Sequence, residues 1–426
     1  MTAEIAILNR NGVALAADSA VTVSGQGGTK IYNSVNKLFA LSKRAPVGVM
    51  IYGNSELTSV PWETIIKVYR RQLGEKTLAR LPDYGTSLLT FLGGTNDLFP
   101  KRQQELELLS SFHGYCNSIL GEIDDQVEQR LANGPISRSQ IGSIAADLID
   151  KHARLWGRRP YLSGRSASYV QRVIRTWSPQ IDQVIRDVFR KITLNGTSRA
   201  QLRRVAGQLY AKDLFNTHGI SGVVVAGFGE REHFPSVVRY DLEGVVLNKV
   251  KFNKIGATSI GRGAESVIMP FAQREMVDLF MEGVDPNFRQ SIGATVEGIL
   301  KGMPDLVVDP LHLSASSKKL VRQQIEVVSK GLAKVFNQKL QEHSRSRHVD
   351  PIVQSVGALP KEELAAMAES LVNLTSFKRR VTRDLETVGG PIDVAVISKG
   401  DGFVWIKRKH YFDPTLNAQF LANYTR

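Results

Sequence analysis

The fold is decided by the stretch Thr2-Ala3-Glu4-Ile5-Ala6-Ile7-Leu8-Asn9-Arg10-Asn11-Gly12-Val13-Ala14-Leu15-Ala16-Ala17-Asp18. Its first half shows the period-two alternation of side chains that is typical of a β-strand. Asn11-Gly12 is a strong hairpin signal between two apolar-rich runs. We therefore expect two antiparallel strands joined by a tight turn, with Asp18 at the end of the second strand.

Working outward, strand-like and helix-like segments alternate in large blocks. Strands are expected over residues 3–53, and the last of them is the buried pattern 47–52, which ends at Gly53. After Pro61 the apolar spacing becomes helical. The remaining blocks are helices over about 75–215, strands over 220–247, helices over about 264–380, and a closing hairpin over 392–406. This order predicts an α+β fold in which a sheet assembles from distant segments, and two sheets packed face to face under outer helices would suit it.

Composition narrows the class of protein. The chain has 426 residues, of which 42% are hydrophobic, enough for a buried core. It holds a single cysteine, Cys116, which excludes a disulfide framework and favours the reducing cytoplasm. No apolar run approaches the roughly 18–20 residues that cross a bilayer, and no secretory signal opens the chain. We therefore expect a cytoplasmic protein without a membrane span.

The net charge of +14 is unevenly spread. Between Lys151 and Lys212 there are fourteen Lys and Arg residues against only Asp182 and Asp187. Such a block could contact nucleic acid, an acidic partner or an anionic surface, or it could be a solvated helical face. No nucleic-acid-binding module accompanies it, so nucleic acid is not the expected partner. The eight histidines lack ligand spacing, and we predict neither a metal nor a cofactor.

Thr2 is the candidate nucleophile. Removal of Met1 would leave a hydroxyl and a free amine on one residue, which is a complete nucleophile–base pair. An α-amine has a reference pKa of about 7.7–8.0, so it can take the hydroxyl proton near neutral pH. Taken alone, Thr2 is an ordinary second residue; its interpretation depends on the residues at matching positions downstream.

Those positions carry a resemblance to a known family. Asp18 follows Thr2 by sixteen residues, Lys37 sits in Asn36-Lys37-Leu38 before an apolar strand, and Gly53 ends the next strand. This set resembles the proteasome β-type subunits and the bacterial HslV peptidase, which are N-terminal nucleophile hydrolases. On this resemblance the chain is identified as a divergent bacterial-type member with large helical insertions.

The resemblance implies a role for each matching residue. Thr2 would be the nucleophile, Lys37 would stabilise the alkoxide, Asp18 would hold Lys37, and the Gly53 N–H would bind the oxyanion. Asp384 and Thr387 would be the supporting acid and hydroxyl, whereas Arg262 stands where the family has a supporting serine. An apolar specificity pocket would be lined by Val21, Val35, Phe39, Ile51 and Ser55.

The resemblance also implies a fold, a domain plan and partners. The expected fold is a four-layer αββα N-terminal-nucleophile sandwich, with its core in residues 1–75, 216–300 and 356–412. Helical insertions would occupy 76–215 (basic in its second half) and 301–355, and 413–426 would be a C-terminal tail.

The implied activity is that of a threonine-type endopeptidase on peptides or unfolded proteins, in a ring or open-ring homo-oligomer served by an ATP-dependent unfoldase. Two alternatives stay open: an inactive structural scaffold, and a module that binds nucleic acid or an acidic partner through the basic helices.

Overall fold

The computed structural model describes residues 2–25, 28–95, 97–215, 219–261, 264–382, 388–419 and 422. Strands β1 to β14 are, in chain order, Ala3–Asn9, Gly12–Ala17, Val21–Gly25, Gly28–Tyr32, Leu38–Ala40, Val47–Gly53, Glu56–Leu57, Val60–Pro61, Ser221–Gly227, Ser236–Val246, Lys249–Ser259, Ser266–Ala272, Asp393–Ser398 and Gly402–Lys407. Helices α1 to α11 are Trp62–Leu73, Leu81–Gly93, Lys101–Leu131, Arg138–Arg158, Ala167–Val188, Gly196–Gln208, Glu275–Glu282, Pro286–Val308, Ala315–Ser344, Asp350–Ala358 and Lys361–Val381. A π-helical turn, Arg345–Val349, joins α9 to α10. The predicted α+β class is confirmed.

Two antiparallel five-stranded sheets form the centre of the molecule. The first has the strand order β12-β1-β2-β13-β14, and the second has the order β11-β10-β9-β6-β5. The predicted hairpin over the first 18 residues is the β1–β2 pair, in which Asn9 lies opposite Gly12. Each sheet therefore combines strands from distant parts of the chain.

Alternation along β1 places its side chains in two different cores. Ala6 and Leu8 pack in the core between the two sheets, whereas Ile5 and Ile7 pack on the outer side of the first sheet. All seven residues of β1 are buried. Because the side-chain period of a strand is two residues, a slip by one residue would exchange both sets, so the register of β1 is strongly fixed.

Helices cover the outer face of each sheet. Leu364, Ala368 and Leu371 of α11 pack against the first sheet, together with Ile5 of β1. On the second sheet, α1 and α2 supply a core with residues such as Trp62 and Tyr84. The described residues thus pack in the order helices, sheet, sheet, helices.

Two further helical regions extend from these layers. Helices α3 to α6 have a hydrophobic core of their own, which includes Phe112, Trp177 and Cys116. Helices α8 and α9 form a long hairpin, and their inward-facing Pro304, Val308 and Ser329 are buried. Among the described residues, no helix is both long and apolar enough to cross a membrane.

The predicted helical block over 264–380 is wrong at its start. Residues 266–272 form β12, which pairs with β1 from Ser266 opposite Asn9 to Ala272 opposite Ala3. A short apolar run does not distinguish strand from helix by its periodicity. Pro270 is tolerated because β12 lies at the edge of the sheet, where one side of the strand has no partner.

Gly222 offers a test of the close packing within the second sheet. It lies opposite Tyr52 in the β6–β9 pair, and a Cβ atom on Gly222 would lie 1.9 Å from the Tyr52 ring. Overpacking of this kind costs about 1–3 kcal/mol, so we expect Gly222→Ala to lower the free energy of unfolding by that amount in urea denaturation. Gly256→Ala on β11 is the control, because no heavy atom lies within 4 Å of the added methyl. Equal losses in the two variants would contradict the packing.

Candidate active site

Three predicted residues meet at one end of the first sheet. Thr2 precedes β1, Asp18 follows β2, and Lys37 precedes β5. The Lys37 Nζ atom donates to Thr2 Oγ1 at 3.1 Å and to Asp18 Oδ1 at 2.5 Å. All three residues are at most 5% exposed. The structure therefore brings together a hydroxyl, an ammonium and a carboxylate that the sequence separates by up to 35 residues.

Asp18 is held by backbone donors as well as by Lys37. Its Oδ1 atom accepts from the Ala3 N–H at 3.1 Å. Its Oδ2 atom accepts from the N–H groups of Ala20 at 3.2 Å and Gly389 at 3.0 Å. A buried carboxylate is tolerated when it is paired and hydrogen-bonded, and Asp18 meets both conditions.

The backbone fixes where these side chains start. The Gln273 N–H donates to the Thr2 carbonyl at 3.0 Å, and the Asp18 N–H donates to the Ala3 carbonyl at 3.1 Å. The Ile51 N–H donates to the Lys37 carbonyl at 2.9 Å. Thr2 and Asp18 are thus anchored to the first sheet and Lys37 to the second, and the site lies where the two sheets meet.

Gly53 ends β6 in a conformation that requires glycine. Its φ angle is +81°, and a Cβ atom there would lie 2.4 Å from the Ile220 carbonyl oxygen. Gly53 is exposed and lies two residues beyond Ile51, which contacts the Lys37 backbone. A backbone N–H at such a position is open to an approaching ligand.

The five predicted pocket residues lie in two different environments. Phe39 and Ile51 are buried together in the core under α1. Val21, Val35 and Ser55 are half-buried and do not belong to that core. Their joint role as a specificity pocket stays a prediction.

Three other sites of the sequence analysis, Asp384, Thr387 and Arg262, lie outside the described residues. The segment that follows Thr387 is described and reaches the site. Besides its bond to Asp18, Gly389 accepts from the Ser19 N–H at 3.1 Å, and the Ser19 hydroxyl donates to the Pro391 carbonyl. Sequence reasoning missed this contact, because no local pattern places residue 389 beside residue 18.

Glu4 is the second residue that sequence reasoning missed. It is 2% exposed, and neither carboxyl oxygen has a hydrogen-bond partner among the described residues. Burial raises the pKa of Glu4 well above its usual value, Lys37 opposes that rise, and the Asp18 charge adds to it. The signal in the sequence was the alternation of β1, which puts Glu4 on the inward face with Ala6 and Leu8.

The described residues contain no group of three or more His, Cys, Asp or Glu side chains arranged to hold a metal ion.

Comparisons with known proteins give a distant likeness. No family model and no curated protein matches the chain. Among solved structures, a Gly-1 mutant of Anbu from Hyphomicrobium sp. strain MC1 is 9% identical; the match covers 100% of this chain and 92% of that one, with a TM-score of 0.27. Anbu, described as an ancestral beta-subunit, from Yersinia bercovieri is 10% identical, with coverages of 99% and 94% and a TM-score of 0.26.

These findings correct one prediction. The assignment to the proteasome β-type and HslV-like family is wrong, since no family model matches and the two solved structures named above are Anbu proteins at 9–10% identity. A likeness with TM-scores of 0.26–0.27 determines neither the fold nor the activity of this chain.

The Lys37–Asp18 ion pair can be tested by stability measurements. Asp18→Asn leaves a buried lysine without its counter-charge, and we expect it to cost about 3–5 kcal/mol in urea denaturation. The double variant Asp18→Asn/Lys37→Met removes both charges, so its loss should be smaller than the sum of the two single losses. Glu342→Gln is the control: its partner Lys339 is 75% exposed, and such pairs contribute about 0–1 kcal/mol. Additive losses at Asp18 and Lys37 would rule out the coupling.

Proposed function

We propose that the chain is a threonine-type peptidase whose nucleophile is Thr2 Oγ1 after removal of Met1. The observation that carries the proposal is the 3.1 Å contact from Lys37 Nζ to Thr2 Oγ1, with Asp18 balancing the lysine charge at 2.5 Å. A buried ammonium beside a hydroxyl favours the alkoxide that develops when the hydroxyl attacks.

The reaction follows from the groups present. Thr2 Oγ1 attacks the peptide carbonyl carbon, and its proton passes to the free α-amine, directly or through a water molecule. The Gly53 N–H donates to the developing oxyanion; loss of one such donor costs about 10²–10³ in rate in a serine protease. The amine proton goes to the leaving nitrogen as the peptide C–N bond breaks, which leaves an acyl ester on Oγ1. Water then cleaves the ester, releases the carboxylic acid and restores the hydroxyl.

The proposal extends to the fold. The helix–sheet–sheet–helix packing supports a four-layer αββα sandwich of the N-terminal-nucleophile type, with the nucleophile at the start of a central strand. Residues 76–215 and 301–355 are then helical insertions, except that α2 within the first range belongs to the outer helical layer of the second sheet. An apolar preference before the scissile bond is part of the proposal, since apolar Phe39 of β5 and Ile51 of β6 lie on the strands that lead from Lys37 and to Gly53.

Thr2 labelling tests the activity. We expect an electrophile directed at N-terminal threonine to add one molecule per chain in protein lacking Met1, as detected by intact mass. Thr2→Ala should give no adduct, because the nucleophile is absent, whereas Thr90→Ala on the exposed face of α2 should be labelled like the wild type.

The same experiment distinguishes a peptidase from an inactive structural scaffold. If protein lacking Met1 forms no Thr2-dependent adduct, the peptidase proposal fails and a structural role is favoured. Retention of Met1 in the mature protein would have the same meaning, because the amine would then be blocked.

We also propose that the α8–α9 hairpin is a surface for self-association. Ile299, Met303 and Leu306 recur at helical spacing on α8, and Leu306 is 75% exposed. Val328, Leu332 and Val335 do the same on α9. Because the helices run antiparallel, both stripes lie on the same side of the hairpin. A contiguous exposed apolar face of this kind marks an interaction surface, and a second copy of the same hairpin supplies a matching face.

Charges placed on this surface should dissociate the assembly. We expect Val328→Lys/Leu332→Lys to lower the molar mass measured by light scattering to that of a single chain, since lysine in an apolar interface is costly. Gln338→Lys/Gln341→Lys adds the same charge elsewhere on α9 and should leave the mass unchanged. A wild type that is already monomeric at micromolar concentration would contradict the proposal.

A further inference from the structure

Glu4 is a buried acid that the proposed reaction does not use. Its neighbours on the inward face of β1, Ala6 and Leu8, are apolar and belong to the core between the sheets. A carboxylate without hydrogen bonds in such surroundings is costly to ionise, whereas a neutral carboxylic acid is tolerated. Glu4 is 2% exposed and lacks a hydrogen-bond partner among the described residues.

The position of Glu4 places it beside the reacting groups. It follows Thr2 by two residues and so shares its face of the chain. Across the sheet it lies opposite Ala17, the residue before Asp18, and opposite Phe271 of β12. Both Lys37 and Asp18 act electrostatically on its carboxyl group.

Two other polar groups near Glu4 have contacts of their own. The Glu4 charge is one of the factors that raise the pKa of Tyr52 on β6, whose hydroxyl donates to Asp241 of β10 at 3.4 Å. Burial raises the pKa of Tyr52, so this group remains neutral in the physiological range. Arg239 of β10 lies over the Phe271 ring at 6.0 Å. Lys37 is therefore the cation that matters most to Glu4, and Lys37 is already paired with Asp18.

We propose that Glu4 is a positioning residue for the Thr2 reaction, which in its protonated form leaves Lys37 paired with Asp18 and with an N–H directed at Thr2 Oγ1. This inference rests on the proposed function and deepens it by adding a protonation switch to the same site.

Ionisation of Glu4 would change the site in two ways. A second carboxylate would compete with Thr2 Oγ1 for the Lys37 ammonium. Its negative charge would also favour the protonated form of the Thr2 amine, which cannot take the hydroxyl proton. Both effects slow the attack, so reaction at Thr2 falls as pH rises through the raised pKa of Glu4.

The first measurement is the rate of Thr2 labelling as a function of pH, in protein shown by mass to lack Met1. In the wild type we expect the rate to rise as the amine loses its proton and to fall as Glu4 ionises, with the fall centred on the Glu4 midpoint. Glu4→Gln is always neutral and should keep the rise but lack the fall. Glu56→Gln, an exposed glutamate on β7, is the matched control and should follow the wild type.

The second measurement does not depend on reactivity. In protein with ¹³C-labelled glutamate carboxyls, the NMR signal that is lost in Glu4→Gln should titrate well above those of the exposed glutamates. In Asp18→Asn/Lys37→Met its midpoint should move upward, since Lys37 lowers the pKa of Glu4 by more than Asp18 raises it.

The outcomes separate the two proposals. If Thr2 reacts but Glu4→Gln keeps the alkaline fall, or if Glu4 titrates with the exposed glutamates, the role of Glu4 is refuted while the peptidase stands. If Glu4 titrates as expected but no protein lacking Met1 is labelled at any pH, the proposed function is refuted and the reaction role of Glu4 falls with it.

Discussion

The site depends on one buried carboxylate that is fully supplied with donors. Asp18 is 1% exposed and accepts from Lys37 Nζ and from three backbone N–H groups, those of Ala3, Ala20 and Gly389. Without these bonds a charge at this depth would cost several kcal/mol. With them, Asp18 keeps an ammonium in a place where water cannot solvate it. That ammonium in turn reaches the Thr2 hydroxyl, so the geometry at Thr2 follows from the environment of Asp18.

The alternation of β1 connects this site to the core. Because every residue of the strand is buried, the outward set holds the first sheet against α11 and the inward set holds it against the second sheet. The inward set carries one acid, Glu4, at the end nearest Thr2. Asp18 and Glu4 are both buried, but their hydrogen-bond environments differ. Asp18 has four donors, and Glu4 has none among the described residues. Unequal environments are what assign different protonation states to neighbouring carboxyl groups.

Much of the candidate site could be predicted from sequence because its parts are local. The two-residue turn Arg10-Asn11 sets Asn9 opposite Gly12, one residue earlier than the predicted Asn11-Gly12 turn, and the resulting β1–β2 register brings Asp18 back to Thr2. The α+β class also followed from the order of strand-like and helical blocks.

Other features depended on tertiary contacts that no local pattern encodes. The strand at 266–272 was mistaken for helix, since a short apolar run is ambiguous until β1 is there to pair with it. Glu4 and Gly389 were missed because burial and long-range hydrogen bonds decide their roles. Family membership was inferred from the spacing of a few residues, and the comparisons did not support it.

The hydrogen bond from Gly389 to Asp18 spans 371 positions of the chain. During translation, Thr2, Asp18 and Lys37 leave the ribosome long before this donor, which follows Asp18 by 371 positions. A nascent chain therefore carries its hydroxyl and its lysine long before the carboxylate between them has its full set of bonds. The reactive geometry therefore depends on the completed fold. A chain that is still being synthesised, or that ends early, contains Thr2, Asp18 and Lys37 but not their arrangement in the site.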